Sequence, residues 1–298
     1  MTVQETFENF ILSRKLADLS RKTITDYTQF VTPLIASLGS ERDFQTIRQA
    51  DINVYLGSLI ERPLSKSTRA TYIRHAKIYL RWCENEYGAL YNSKNIKVPK
   101  SPKRNVKIYS DSEVYMLFDS IEAELPWLTL RNKCIVALMY DSGLRQSEVC
   151  TLQKNRISYS DNHMIVRGKG DKERTVPLGS LTQYYMKAYL KMCPYDTPSV
   201  FVNRRGEPLT CNAVKLFMSK LADKLPFDVS SHKLRHNFAT NYCIDQYEKY
   251  GQVDIYRLMY LIGHEEIETT RRYLHMANEI IASKGCISHL DSIMNGKN

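Results

Sequence analysis

The sequence predicts a mainly α-helical protein with a small antiparallel β-sheet, divided into two domains. Three observations predict it. Apolar residues recur at helical spacing through the first 90 residues and again after residue 110; three short strand-like runs lie between residues 156 and 178; and a basic, proline-containing stretch at 92–107 separates the helical parts. A chain of 298 residues suits one large or two ordinary domains. Its 43% hydrophobic and 25% charged content is that of a folding chain rather than a disordered one.

In the first domain, Phe7, Phe10 and Ile11 share one face of a first helix. Ile24, Tyr27, Val31, Leu34, Ile35 and Leu38 form a longer stripe, starting behind a Ser20 cap and stopping before Gly39. A third helix begins near residue 48. The fourth has Ser65 or Ser67 as its cap, Tyr72, Ile73, Ala76, Leu80 and Cys83 as its stripe, and Gly88 at its end. Arg74, Lys77 and Arg81 lie along its other side. Residues 92–107, NSKNIKVPKSPKRNVK, hold six basic residues, no acidic ones, and Pro99 and Pro102. Proline interrupts regular structure and little of this segment can be buried, so it reads as a linker. The expected boundaries are a helical domain at 1–95, a basic linker at 96–107 and a second domain at 108–298.

After Ser110-Asp111, Val114, Leu117, Phe118 and Ile121 mark one helix, and Ile135 to Met139 a second that stops at Gly143. Ile157-Ser158-Tyr159, His163 to Arg167 and Arg174 to Leu178 read as strands, the last two joined by a turn at Gly168-Lys169-Gly170-Asp171. Helices return from about residue 180.

The formal charge of +10 is unevenly spread: residues 1–107 hold 18 Lys/Arg against 10 Asp/Glu, and the remainder 24 against 22. The resulting surpluses, +8 and +2, concentrate the positive field in the first third. Such asymmetry suits a polyanionic partner, because Lys and Arg that neutralise phosphates release condensed counterions. Charge alone fits a basic, solvated surface equally well. Seven cysteines, at 83, 134, 150, 193, 211, 243 and 286, form no C-x-x-C pair and read as reduced thiols of a cytosolic protein. The start, Thr2 to Phe7, does not resemble a signal peptide, and the apolar run Ile135 to Met139 is too short to cross a bilayer.

Five segments carry residue types suited to anion binding or nucleophilic attack: Gly143-Leu144-Arg145-Gln146-Ser147-Glu148, Gly168-Lys169-Gly170, His232-Lys233-Leu234-Arg235, Gly263-His264, and Tyr273. Singly, each has an ordinary explanation. An Arg after a helix-ending Gly is commonplace, a Gly-Lys-Gly turn is usually just a hairpin, and Tyr273 is one of 20 tyrosines. Residues 264–268 begin like a zinc-protease His-Glu-x-x-His helix, but Glu268 removes the second ligand. Gly170 follows Gly168-Lys169 where a nucleotide-binding P-loop needs Ser or Thr. No metal, ATP or other cofactor is expected.

Together, in the order Arg, Lys, His-x-x-Arg, His, Tyr, these segments resemble the active-site pattern of the tyrosine recombinase or phage-type integrase family, and the resemblance runs from end to end. Tyr273 follows His264 by nine residues with Thr269-Thr270 between them, and Lys169 sits in a β-turn. Lys172-Glu173-Arg174 leads to Val176-Pro177-Leu178, and Arg235-His236 precedes Phe238-Ala239-Thr240. The resemblance implies a helical, SAM-like core-binding domain and a tyrosine-recombinase catalytic domain that close on DNA as a C-shaped clamp. It implies the catalytic set Arg145, Lys169, His232, Arg235, His264 and Tyr273, with Tyr273 the nucleophile that forms a 3′-phosphotyrosyl link. Phosphoryl transfer needs fixed cations around the phosphate, and planar guanidinium groups such as Arg145 and Arg235 bind its oxygens in a fork. His232 is the candidate base, Lys169 the general acid with Lys172 as its rival, His264 a phosphate donor, and Glu148 an organiser of the pocket. DNA contacts are expected from Lys66, Arg69, Arg74, Lys77, Arg81, Lys100, Lys103 and Arg104.

The two-domain plan is similar to Xer recombinases and to simple transposon or integron integrases. It implies four protomers on two inverted-repeat DNA sites, exchange through a Holliday junction, accessory proteins as candidate partners, no membrane, and a cytoplasmic, nucleoid-associated place. Chromosome dimer resolution and mobile-element integration or excision both remain open. A type IB topoisomerase-like relaxing enzyme and a non-catalytic DNA-binding regulator on the same fold are the alternatives. Asp245 to Gly251 lengthens the interval between Arg235 and His264 and is expected to be an extended loop or a helix end. Ile280, Ile281, Ile287, Leu290 and Ile293 suit docking either into a neighbouring protomer or onto their own domain.

Overall fold

The computed structural model describes residues 1–100 and 107–284, apart from the side chains of Lys169, Ser283 and Lys284. The chain falls into two compact units, Met1–Arg104 and Asn105–Asn298. Lys103, Arg104, Cys286, Ile287, Leu290 and Ile293 lie outside the described residues.

The first unit is built from α1 (Val3–Leu16), α2 (Arg21–Leu38), α3 (Gln49–Glu61) and α4 (Lys66–Tyr87). Thr2, Ser20 and Ser65 accept hydrogen bonds from the backbone N–H groups of Glu5, Thr23 and Thr68, each satisfying a donor left over at a helix start. Of the two candidate caps for α4, Ser65 is the one used. Phe10, Leu34, Tyr55, Leu59, Ala76, Tyr79 and Leu80 meet in the core. Within it the Tyr79 hydroxyl shares a 2.6 Å hydrogen bond with Thr6, so that this buried polar atom is paired.

The second unit begins with α5 (Asp111–Asp119), whose capping box joins Ser110 and Glu113. Next, α6 (Pro126–Asp141) carries the continuous run Cys134 to Met139, which is buried on every side of the helix. The short α7 (Gln146–Thr151) leads to an antiparallel sheet of β1 (Ile157–Ser158), β2 (His163–Arg167) and β3 (Glu173–Pro177), in that order. Met164 pairs with Val176 and Val166 with Arg174, and all four face inward. Then come α8 (Ser180–Met192), α9 (Cys211–Ala222), α10 (Ser231–Tyr250), α11 (Ile255–Ile262) and α12 (Ile267–Lys284).

The main core gathers Leu138, Met164, Val166, Val176, Met186, Tyr189 and Phe201. A smaller one, with Phe238, Cys243, Leu258, Ile262, Tyr273 and Ala277, joins α10, α11 and α12. The sheet departs from the sequence expectation at its edges. Tyr159 falls beyond β1 and packs its ring against the main core, and β3 starts one residue earlier and ends at Pro177, short of Leu178. The stretch Asp245 to Tyr250 is the last part of α10, closed by Gly251 in the left-handed region. Ile280 and Ile281 pack against the smaller core of their own unit. The six described cysteines are free, and no described helix is long and apolar enough to cross a membrane.

Candidate active site

The site grows from the residue that ends α6. Gly143 has φ +64°, and a Cβ there would fall 2.3 Å from the Phe238 ring, so only glycine fits. The turn delivers Arg145 to the start of α7. Its backbone N–H and its guanidinium both donate to Glu148, at 2.7 and 2.9 Å. Glu148 also receives both Nη groups of Arg174, at 2.7 and 2.9 Å, and its side chain is 1% exposed. Burial pushes the Glu148 carboxyl up, but Arg174 and then Arg145 outweigh it and hold it below the usual carboxylate range. The inward arginine of β3 is thereby explained: Arg174 sits where an alternating strand would place an apolar side chain, because a buried carboxylate faces it.

Three arginines converge on the end of α11. Arg174 Nε donates to the Leu261 carbonyl at 2.8 Å, Arg235 Nη2 to that of Ile262, and Arg145 Nη2 to that of Gly263 at 2.5 Å. Arg235 Nη1 also reaches the Gly143 carbonyl, at 2.5 Å. The last carbonyls of a helix lack partners within it and carry the negative end of its dipole, so they hold guanidinium groups well. Gly263 makes the approach feasible. At φ +59° its Cβ position lies 3.0 Å from an Arg174 nitrogen and 3.1 Å from one of Arg145. Burial, then repulsion from Arg145, pulls the Arg235 guanidinium down to about 9, which still leaves it a cation at neutral pH.

The first turns of α10 place His232 and His236 on one face, four residues apart. Their Nε2 atoms lie 2.7 Å from each other, so one ring donates and the other, being neutral, accepts. His236 is depressed to about 3 by burial and then by His232 and Arg272; His232 is lowered by burial, Arg272 and Arg235. His264 follows Gly263, and its Nδ1 lies 3.0 Å from the buried Thr270 hydroxyl. Burial and then Arg235 and Arg145 lower it to about 4. All three imidazoles are therefore neutral at pH 7.

Tyr273 projects from α12 between these rings, with His236 at 5.1 Å and His264 at 6.1 Å between centroids. It is 1% exposed, and its oxygen accepts a 3.2 Å hydrogen bond from Arg272 Nη2. Beside it opens a cavity of about 750 Å3 whose walls include Arg145, Lys172, Arg174, His264, Thr269 and Arg272. Lys172 Nζ lies 3.1 Å from Glu265. The backbone of Lys169 belongs to a short 3-10 turn, Lys169–Asp171, and its side chain lies outside the described residues.

Arg145, His232, Arg235, His264 and Tyr273 thus come together from α7, α10, the end of α11 and α12. Arg174, His236 and Arg272 join them without having been assigned a role from sequence. An arginine at an inward strand position and two histidines at helical i,i+4 spacing were the signals for the first two. Of the expected DNA contacts, Lys66, Arg74, Arg81 and Lys100 are exposed in the first unit. Arg69 donates to the Leu59 and Ile60 carbonyls at the end of α3, and Lys77 to that of Ile96 at 2.7 Å.

Residues 110–279 match the phage integrase family, and residues 6–89 match the phage integrase N-terminal SAM-like domain. A protein named tyrosine recombinase XerC from Bacillus pumilus is 27% identical over 284 residues, 91% of this chain and 90% of that one. Another so named, from Psychromonas ingrahamii, is 30% identical over 287 residues, 91% of each chain. Among solved structures, the Tn1549 transposon integrase in complex with transposon right end DNA gives a TM-score of 0.74 at 16% identity, covering 96% of this chain and 100% of that one. A lambda integrase dimer bound to a core site gives 0.72 at 18% identity, over 92% of this chain and 95% of that one. The chain belongs to the phage integrase family of tyrosine recombinases.

Proposed function

We propose that the chain is a site-specific DNA recombinase that cuts and rejoins strands through Tyr273. One observation carries the reading: the Tyr273 phenol stands among neutral histidines beside three guanidinium groups gathered at a helix end. Double-stranded DNA as the partner is supported by relatives named as recombinases and by fold neighbours solved on DNA.

A guanidinium has five N–H donors, so Arg145 and Arg235 keep donors for the non-bridging oxygens of a phosphate while gripping α11. The Tyr273 oxygen bonds to phosphorus as the bond from phosphorus to the 5′-oxygen breaks. The phenolic proton passes to neutral His232, and the 5′-oxygen takes a proton from Lys169 or Lys172. His264, with Nδ1 held by Thr270, gives Nε2–H to a phosphate oxygen. The products are a 3′-phosphotyrosine and a 5′-hydroxyl, and the retained ester bond energy lets a 5′-hydroxyl from another strand reverse the step without ATP. Four protomers on two inverted-repeat sites would exchange strands pairwise through a Holliday junction, in mobile-element integration or excision or in Xer-type resolution, in the cytoplasm at the nucleoid.

The test is covalent trapping. A duplex recovered by binding selection is nicked near the cleavage point and incubated with wild type or Tyr273→Phe, and denaturant-resistant adducts are counted. Adducts with wild type alone support the reading. Tight binding without adducts overturns it in favour of a regulator, and sequence-independent relaxation by a monomer overturns it in favour of a topoisomerase-like enzyme.

A further inference from the structure

The Tyr273 oxygen is reached by one cation that the mechanism above does not use. Arg272 Nη2 lies 3.2 Å from it, the Arg272 guanidinium carbon lies 5.0 Å from the Tyr273 ring centre, and the same Nη2 lies 3.5 Å from His236 Nε2. Adjacent residues on a helix do not face one another, so this contact exists because the long arginine side chain turns back over the ring. A guanidinium has no acceptor, so the phenol oxygen accepts and its own proton points elsewhere, towards whatever removes it. Arg272 also lines the cavity with Arg145, Arg174 and His264. That wall also carries Glu173, Glu265 and Glu266, and Arg272 is exposed, so the argument for it rests on its contact with the phenol oxygen.

We propose that Arg272 is a catalytic residue of this chain, holding the attacking oxygen and stabilising the negative charge that develops on it. The proposal rests on Tyr273 being the nucleophile. In the step, the bond from the phenol oxygen to phosphorus forms and the bond to the 5′-oxygen breaks. The phenolic proton goes to His232 and the 5′-oxygen gains one from Lys169 or Lys172. Arg272 keeps all its protons and supplies a hydrogen bond and a charge. Being next to Tyr273 on α12, it moves with the nucleophile and retains the contact as the phenol meets the phosphate.

The test compares wild type, Arg272→Gln and Arg272→Lys in single-turnover adduct formation on the selected, nicked duplex. It repeats the comparison on the same duplex with a bridging 5′-phosphorothiolate, whose sulfur leaves without a proton. Arg272→Gln should slow adduct formation by about 100-fold, the loss typical of removing one fixed donor from a developing oxyanion. Arg272→Lys should recover part of that rate, and the deficit should persist on the phosphorothiolate. The melting temperature should stay at the wild-type value, and DNA affinity should fall far less than the rate. A wild-type rate in Arg272→Gln overturns the proposal. So does rescue by the phosphorothiolate, which would place Arg272 at the leaving group, or a parallel loss of DNA affinity, which would make it a phosphate contact. Absence of adducts with wild type on both duplexes overturns the assignment of Tyr273 itself and this proposal with it.

Discussion

Glu148 faces Arg174 inside the second unit, its two oxygens taking the two Nη groups at 2.7 and 2.9 Å. Leaving one member of a buried pair alone costs about 3–5 kcal/mol, because a desolvated charge is stranded. Arg174→Met should therefore lower the stability of the unit in urea unfolding, by less than that amount because Arg145 still donates to Glu148. Glu148→Leu combined with Arg174→Met should restore much of it, yet cleavage should stay low because Arg145 has lost the carboxylate that orients it. Recovery of cleavage along with stability in the double variant would show that Glu148 has no such role.

Gly263→Ala is expected to cost about 1–2 kcal/mol from its left-handed backbone alone. The added methyl also presses on Arg174 and Arg145. Adduct formation should fall further than stability accounts for, so the two are compared at a temperature well below the melting point of the variant. Equal activity there would mean that the arginines tolerate displacement.

The buried histidines make stability depend on acidity. Each of His232, His236 and His264 is harder to protonate folded than unfolded, so the unfolded chain takes up protons first as the pH falls. The stability they contribute is complete above their unfolded value of 6.5 and is lost progressively below it, down to about 4 for His264 and about 3 for His236. The urea midpoint should fall from pH 6.5 to pH 4, and His236→Leu should flatten that decline. An unchanged slope would assign it to the carboxylates instead.

In the first unit, Arg74 and Arg81 are exposed along α4, whereas the Lys77 ammonium is held at the Ile96 carbonyl. Arg74→Ala and Arg81→Ala should each reduce the log–log salt slope of DNA binding by about one. Lys77→Ala should alter the slope less and the melting temperature more. The reverse ranking would show that Lys77 leaves the carbonyl to meet a phosphate.

Much of this architecture was legible because it rests on local rules. Ser20, Ser65 and Gly88 mark helix ends by hydrogen bonding and backbone preference alone, and the alternation around Met164 and Val176 announces a half-buried sheet. The order of Arg145, His232, Arg235, His264 and Tyr273 pointed to a candidate site through the family it resembles, and the fold brings those side chains together. Arg272 stayed silent because an arginine beside a tyrosine on a helix is ordinarily solvated; only the bend of its side chain in three dimensions brings it to the phenol. That Arg69 and Lys77 meet the Leu59 and Ile96 carbonyls was not legible either, since those carbonyls come from other segments of the chain.

The three carbonyls at the end of α11 give the second unit an internal counterion. Arg145, Arg174 and Arg235 would repel one another if brought together bare, and the Glu148 carboxylate pairs with only the first two of them. Peptide oxygens at a dipole's negative pole relieve that repulsion with groups that never titrate and never leave the chain. A cluster of positive charge can thus be assembled during folding, with its donors already in place.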